Sequence, residues 1–114
     1  MCEAGFPGID LEHDRRPSDA LVRRVLSRDE QLLPPEAFVV LWAVKEAAMK
    51  ALGTGFRVAA RTVNATVDLE ASSARVHMPP EAAGWEPRAR LDGRGVFWRE
   101  GERAIAVVHV PEKD

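Results

Sequence analysis

The sequence predicts an α+β fold in which an antiparallel sheet meander packs against one long helix and shorter helices. Three observations carry this. Phe38, Leu41, Trp42, Met49 and Leu52 recur at threes and fours across residues 36–52, the period of a helix. Val63, Ala65, Val67 and Leu69 alternate with polar residues, the period of a strand. Turn dipeptides, Asp92-Gly93 and Glu100-Gly101, punctuate the second half.

The elements follow in order. Gly8-Ile9-Asp10-Leu11-Glu12 alternates as a half-buried strand, so Asp10 and Glu12 share one face and Ile9 and Leu11 the other. Ser18 is placed to cap a helix carrying Leu21, Val22, Val25 and Leu26. Ser27 with Glu30 three residues on is a capping-box pattern that predicts a second short helical turn, interrupted by Pro34-Pro35. The long helix ends at Leu52, where Gly53 suits a left-handed cap. Strands are expected over 63–69 and 75–78. A hairpin of 88–91 with 96–99 is expected around Asp92-Gly93, and a final strand carries Ile105, Val107, Val108 and Val110.

Composition narrows the function. The chain has 114 residues, 16 basic and 18 acidic side chains and a formal net charge of −2, room for one domain over residues 1–114. The near-neutral balance argues against a nucleic-acid binder, which shows a strongly basic face. One cysteine, Cys2, makes no internal disulfide, so a reducing cytoplasm is the expected compartment. The longest apolar run, residues 37–44, falls short of the ~20 residues a membrane span needs. The first residues lack the pattern of a secretory signal.

Chemistry concentrates around the long helix. Trp42, Glu46 and Lys50 stand at i, i+4 and i+8 and share one face. Taken alone, such a carboxylate and lysine read as a solvated face. With Asp10 and Glu12 upstream and Gly53-Thr54-Gly55 downstream, they describe an oxygen-rich site suited to a hard divalent cation. Mg²⁺ is favoured because it uses few protein ligands and completes its shell with waters and phosphate oxygens. Lys45 and Lys50 are candidates to balance a phosphate-bearing substrate.

Two segments make the sequence recognisable. Gly8-Ile9-Asp10-Leu11-Glu12, followed by Trp42-Ala43-Val44-Lys45-Glu46-Ala47-Ala48-Met49-Lys50-Ala51-Leu52-Gly53-Thr54-Gly55, resembles the signature pair of the 4′-phosphopantetheinyl transferase superfamily. Residues 25–30 resemble the segment between them. The resemblance implies transfer of the phosphopantetheine arm from coenzyme A to a serine of an apo acyl or peptidyl carrier protein, releasing 3′,5′-ADP. It implies Mg²⁺ held by Asp10, Glu46 and Glu12, and coenzyme contacts from Lys45, Lys50, Gly53, Thr54 and Gly55. Asp10, Glu46 and Lys50 become the catalytic candidates. Lys50 matches a lysine that contacts phosphate and protonates the leaving oxygen, and Glu46 or a water it orients is a candidate acceptor of the serine proton. Trp42 matches a family aromatic, and an anchoring role in the core fits it equally. Arg15, Arg16, Arg23, Arg24 and Arg28 match the region where small members present basic residues to acidic carriers; an ordinary solvated face is the alternative.

Two departures shape the expectation. Large members are pseudo-dimers whose first half binds much of the coenzyme. Small members carry a Ser-x-Ser-His motif near the C-terminus, whereas Gly95-Val96-Phe97-Trp98-Arg99-Glu100 has no histidine here. His77 and His109 read as structural or exposed. The acids with Trp42 resemble the second half of the large type, and the length resembles the small type. The expectation is a homo-oligomer, dimer or trimer, with the site at the subunit interface, although a separate first-half chain would serve equally. A non-catalytic coenzyme- or carrier-binding module and a truncated remnant are the competing readings. The carrier, from fatty-acid, polyketide or peptide synthesis, is left open.

Overall fold

The computed structural model describes residues 5–13 and 17–114. Cys2, Arg15 and Arg16, singled out above, lie outside the described residues. Five strands, β1 (Gly5–His13), β2 (Asn64–Asp68), β3 (Ser73–His77), β4 (Asp92–Glu100) and β5 (Arg103–Pro111), form one antiparallel sheet in the order β1-β5-β4-β3-β2. Two α-helices, α1 (Asp19–Val25) and α2 (Ala37–Leu52), connect β1 to the rest. β1 therefore leaves the meander, passes through both helices, and remains as an edge strand beside the last strand.

The local signals act as their chemistry requires. The Leu21 N–H donates to Ser18 Oγ at 3.1 Å and opens α1. Ser27 and Glu30 form the reciprocal box, the Ser27 N–H donating to Glu30 Oε1 (2.7 Å) and the Glu30 N–H to Ser27 Oγ (3.3 Å). The turn that follows, Glu30–Leu32, is 3₁₀. Gly53 takes φ 68° and closes α2, its N–H donating to Lys50 O and the Thr54 N–H to Met49 O.

One expected hairpin is absent. β4 runs unbroken through Asp92 and Gly93, and of residues 88–91 only Ala89 bridges, to Glu112. Gly93 serves close packing instead of turning: a Cβ there would stand 3.0 Å from Val76 Cγ2, Val110 Cγ2 and the His109 carbonyl. The tight turn lies one strand later, at Gly101 with φ 59°.

α2 lies across the sheet and is buried almost all round. Under it, Ala104 and Ala106 of β5 and Ala43, Ala47 and Ala48 of α2 are buried, small side chains that let helix and strand approach closely. Gly8 takes this to its limit: a Cβ there would collide with the Ala47 carbonyl and the Ala51 amide.

Behind α2, Lys45 is fully buried. Its ammonium donates to Glu30 Oε1 (2.5 Å), Val25 O (2.8 Å) and Ala60 O (3.1 Å), using all three protons. Glu30 Oε2 accepts from the Ala65 N–H at 3.0 Å. Burial pulls the Lys45 ammonium below the ordinary lysine value, with Glu30 opposing that pull.

Among the described residues no helix or strand covers the opposite face of the sheet, where Ile105 alone of the apolar rows is buried. In register across it run Ile9–Val107–Val96 and Leu11–Ile105–Trp98. Ile9 is 60% and Val96 53% exposed, large values for branched apolar side chains. The alternation of β1 therefore points its acids toward the helix and its apolar residues outward.

Removing Lys45 strands a buried carboxylate. Lys45→Met is expected to cost about 3–5 kcal/mol in denaturant unfolding, and adding Glu30→Gln to it to recover part of that loss.

Candidate active site

Motifs 40 residues apart meet where β1 crosses α2. Gly8 brings the strand backbone against the helix, and two residues on, Asp10 points at the last turn of α2. Lys50 Nζ donates to Asp10 Oδ1 at 2.6 Å. Asp10 is 6% exposed while Lys50 is 56% exposed, so the pair runs from the core edge to the surface. Asp10 Oδ2 is buried and has no hydrogen-bond partner among the described residues. An unpaired buried carboxylate oxygen is costly and unusual.

Glu46 stands one helical turn before Lys50, half-buried, and Trp42 one turn before Glu46. The Trp42 Nε1–H donates to Glu46 Oε1 at 3.2 Å, and the indole is steadied edge-on by Phe38, ring centroids 5.5 Å apart. Trp42 thus packs and orients at once. Glu12 follows Asp10 on the helix-facing side of β1 and is half-buried. All three acids act on Lys50: its ammonium is held above the ordinary lysine value chiefly by the hydrogen bond to Asp10, with Glu46 and Glu12 adding their fields.

Two expected coenzyme contacts are placed elsewhere. Lys45 is sequence-adjacent to Glu46, but consecutive helix residues point ~100° apart. Its ammonium faces the Glu30 side of the helix and has no exposed surface for a ligand. Thr54 is fully buried, its hydroxyl donating to Met49 O at 3.4 Å and its N–H spent on the same carbonyl. Gly53 and Gly55 are exposed just after Lys50, both at positive φ, where the turn stays on the surface. Arg23 and Arg24 are exposed in the last turn of α1, and Arg28 is exposed beyond it.

Among the described residues, no three His, Cys, Asp or Glu side chains converge closely enough to hold a metal ion by themselves. Residues 95–100 lie within β4, where Arg99 donates to the Glu36 carbonyl at 3.0 Å. His77 is exposed and paired with Asp92, and His109 lies half-buried in β5. The residue the motif reading left without a role is Gly8. Its signal was available, since an isolated glycine in a strand marks close backbone approach.

The charge state of Lys50 is checkable. Its folded value lies above 10.5, so its pairing contributes below pH 10.5 and is lost as pH rises through the folded value. An NMR titration of the Lys50 side chain is expected to show a midpoint above 10.5, returning toward it in Asp10→Asn.

A search of curated proteins finds no match. The fold matches holo-[acyl-carrier-protein] synthase of Helicobacter pylori in complex with coenzyme A, with TM-score 0.70 and 21% identity, over 92% of this chain and 99% of that one. It also matches an ACPS–CoA complex of Chronobacterium ammoniagenes, with TM-score 0.69 and 20% identity, over 98% of this chain and 100% of the other. The model of the 4′-phosphopantetheinyl transferase superfamily matches residues 7–108, which takes in both segments that meet at Asp10 and Lys50. The chain belongs to the 4′-phosphopantetheinyl transferase superfamily.

Proposed function

We propose that this chain carries out Mg²⁺-dependent transfer of the 4′-phosphopantetheine arm from coenzyme A to a serine of an apo carrier protein, releasing 3′,5′-ADP. Membership of the superfamily makes it a phosphopantetheinyl transferase. The observation that carries the residue roles is the meeting of Asp10 and Lys50 from separate motifs, with Glu46 one turn away.

The donor set fits a hard divalent cation. Asp10 Oδ2 is a buried oxygen lacking a partner among the described residues, and Mg²⁺ needs only one or two protein carboxylates when phosphates complete its shell. Asp10 Oδ2 would hold it directly, and Glu46 and Glu12, which do not converge with Asp10 into a three-acid cage, would hold it through the ion's own waters. When bound, the ion supplies charge neutralisation on the pyrophosphate and on the leaving group.

The protein's own groups do the rest. The serine oxygen forms a bond to the pantetheine-side phosphorus, and the bond from that phosphorus to the bridging oxygen of 3′,5′-ADP breaks. Lys50, kept protonated by its acidic neighbours, neutralises the charge that develops on the departing phosphate. Glu46, oriented by Trp42, accepts the serine proton directly or through a water. Gly53 and Gly55 leave the turn free of side chains beside the coenzyme. Arg23 and Arg24 on α1 face an acidic carrier and speed its encounter.

We read the whole chain as one half-fold that acts as a homo-oligomer. The uncovered rows through Ile9 and Leu11 support this, since contiguous exposed apolar surface marks an interface. β1 is an edge strand, so a neighbouring copy on Ile9 and Leu11 lies beside the strand whose other face carries Asp10 and Glu12. A reducing, cytoplasmic setting accompanies this reading. No helix among the described residues is long and apolar enough to cross a membrane.

Incubation of an apo carrier panel with coenzyme A and Mg²⁺ is expected to add the phosphopantetheine mass. Glu46→Ala should slow this by about a hundredfold or more, and chelation should abolish it. Coenzyme binding without any mass gain would replace the enzyme by a binding module. Light scattering is expected to show a dimer or trimer that Trp98→Glu dissociates, with transfer lost in parallel; an active monomer overturns the assembly.

A further inference from the structure

The uncovered face of the sheet has two halves, and the second is basic. Beyond the apolar rows, Arg75 of β3 and Arg94 of β4 are direct cross-strand partners, both exposed. Like charges in that position repel and destabilise a sheet. Neither guanidinium has an acidic partner among the described residues. They line a concavity of about 780 Å³ with Arg90, His77, Thr66 and Asn64. One acid, Asp92, lines it as well, and a second, Asp114, comes near it. Asp92 is paired with His77, and Asp114 reaches Arg90 at 2.8 Å. Cationic charge remains in excess at the Arg75–Arg94 pair.

We propose that this concavity is an anion site that takes a phosphate group. Two guanidinium forks at neighbouring strand positions offer paired N–H donors to the oxygens of one dianion. Thr66 and Asn64 add neutral donors at the rim. The bound anion removes the repulsion that the empty register carries, so the site gives up stability when unliganded and regains it on binding. By strand alternation it lies on the face of the sheet opposite Asp10 and Lys50. It therefore lies apart from the Asp10 and Lys50 of its own copy and does not rest on their assignment. The phosphate comes free or as part of a nucleotide.

The test is an NMR titration of the whole protein with inorganic phosphate against chloride at constant ionic strength, reading the Arg75 and Arg94 side-chain Nε–H signals. A saturable shift at both is expected. Arg94→Gln should weaken it by about tenfold or more, while the melting temperature of the unliganded variant stays level or rises. A repeat with 3′,5′-ADP separates the sources. Tighter binding at these arginines than inorganic phosphate identifies a nucleotide phosphate, and equal or weaker binding identifies free phosphate. A shift that does not saturate, that persists unchanged in Arg75→Gln/Arg94→Gln, or that falls only on Asp10 and Lys50 overturns the proposal. So does a clear loss of stability in unliganded Arg94→Gln, which would make the pair structural.

Discussion

Much of this fold is organised around one buried ammonium. Lys45 reaches out of the back of α2 and holds the end of α1, the Glu30 turn and the segment before β2 through Val25, Glu30 and Ala60. Glu30 in turn accepts from Ser27 and Ala65. Three stretches distant in sequence, residues 25–30, α2 and residues 60–65, thus meet at one ion pair whose donors and acceptors are matched. Burial of two charges is costly, and complete hydrogen bonding is what makes the arrangement tolerable. The network sets how α2 is rotated about its axis, and that rotation decides which of its polar residues face β1.

On the other side of the helix, absence of a side chain is the controlling fact. Gly8 allows β1 to lie against the α2 backbone, and this contact places Asp10 within hydrogen-bond reach of Lys50. The two lysines of the helix therefore have opposite fates. Lys45 is sequestered as a structural cation with its proton affinity lowered by burial, and Lys50 sits among acids that raise it. Five positions on a helix differ by ~140° in direction, enough to separate a core tie from a surface group.

The sheet adds a second asymmetry. Its helix-facing side is filled with alanine, valine and glycine, and its outer side carries an apolar half and an arginine half. The helix needs close approach, hence the small residues on one side. On the other side, large apolar and cationic groups are placed at the cost of solvation and of like-charge repulsion. A chain that needed only to fold would have little reason to keep either.

The sequence by itself determined the long helix, its glycine cap, the Ser18 and Ser27–Glu30 caps and the strand alternation, because these depend on spacing and on local hydrogen bonds. It also set Asp10 and Glu12 on one face of β1, and Glu46 and Lys50 on one face of α2. Tertiary structure decided the rest. Alternation says which residues share a face and is silent on which face meets the core, so the acids of β1 turned inward and Ile9 and Leu11 outward. Asp92-Gly93 reads as a turn, yet packing between Val76 and Val110 requires its glycine inside a strand. Lys45 and Thr54 share a motif with Glu46 and Lys50, but burial removes them from the surface. Local patterns encode direction relative to the chain, and only the docking of α2 onto β1 converts direction into position.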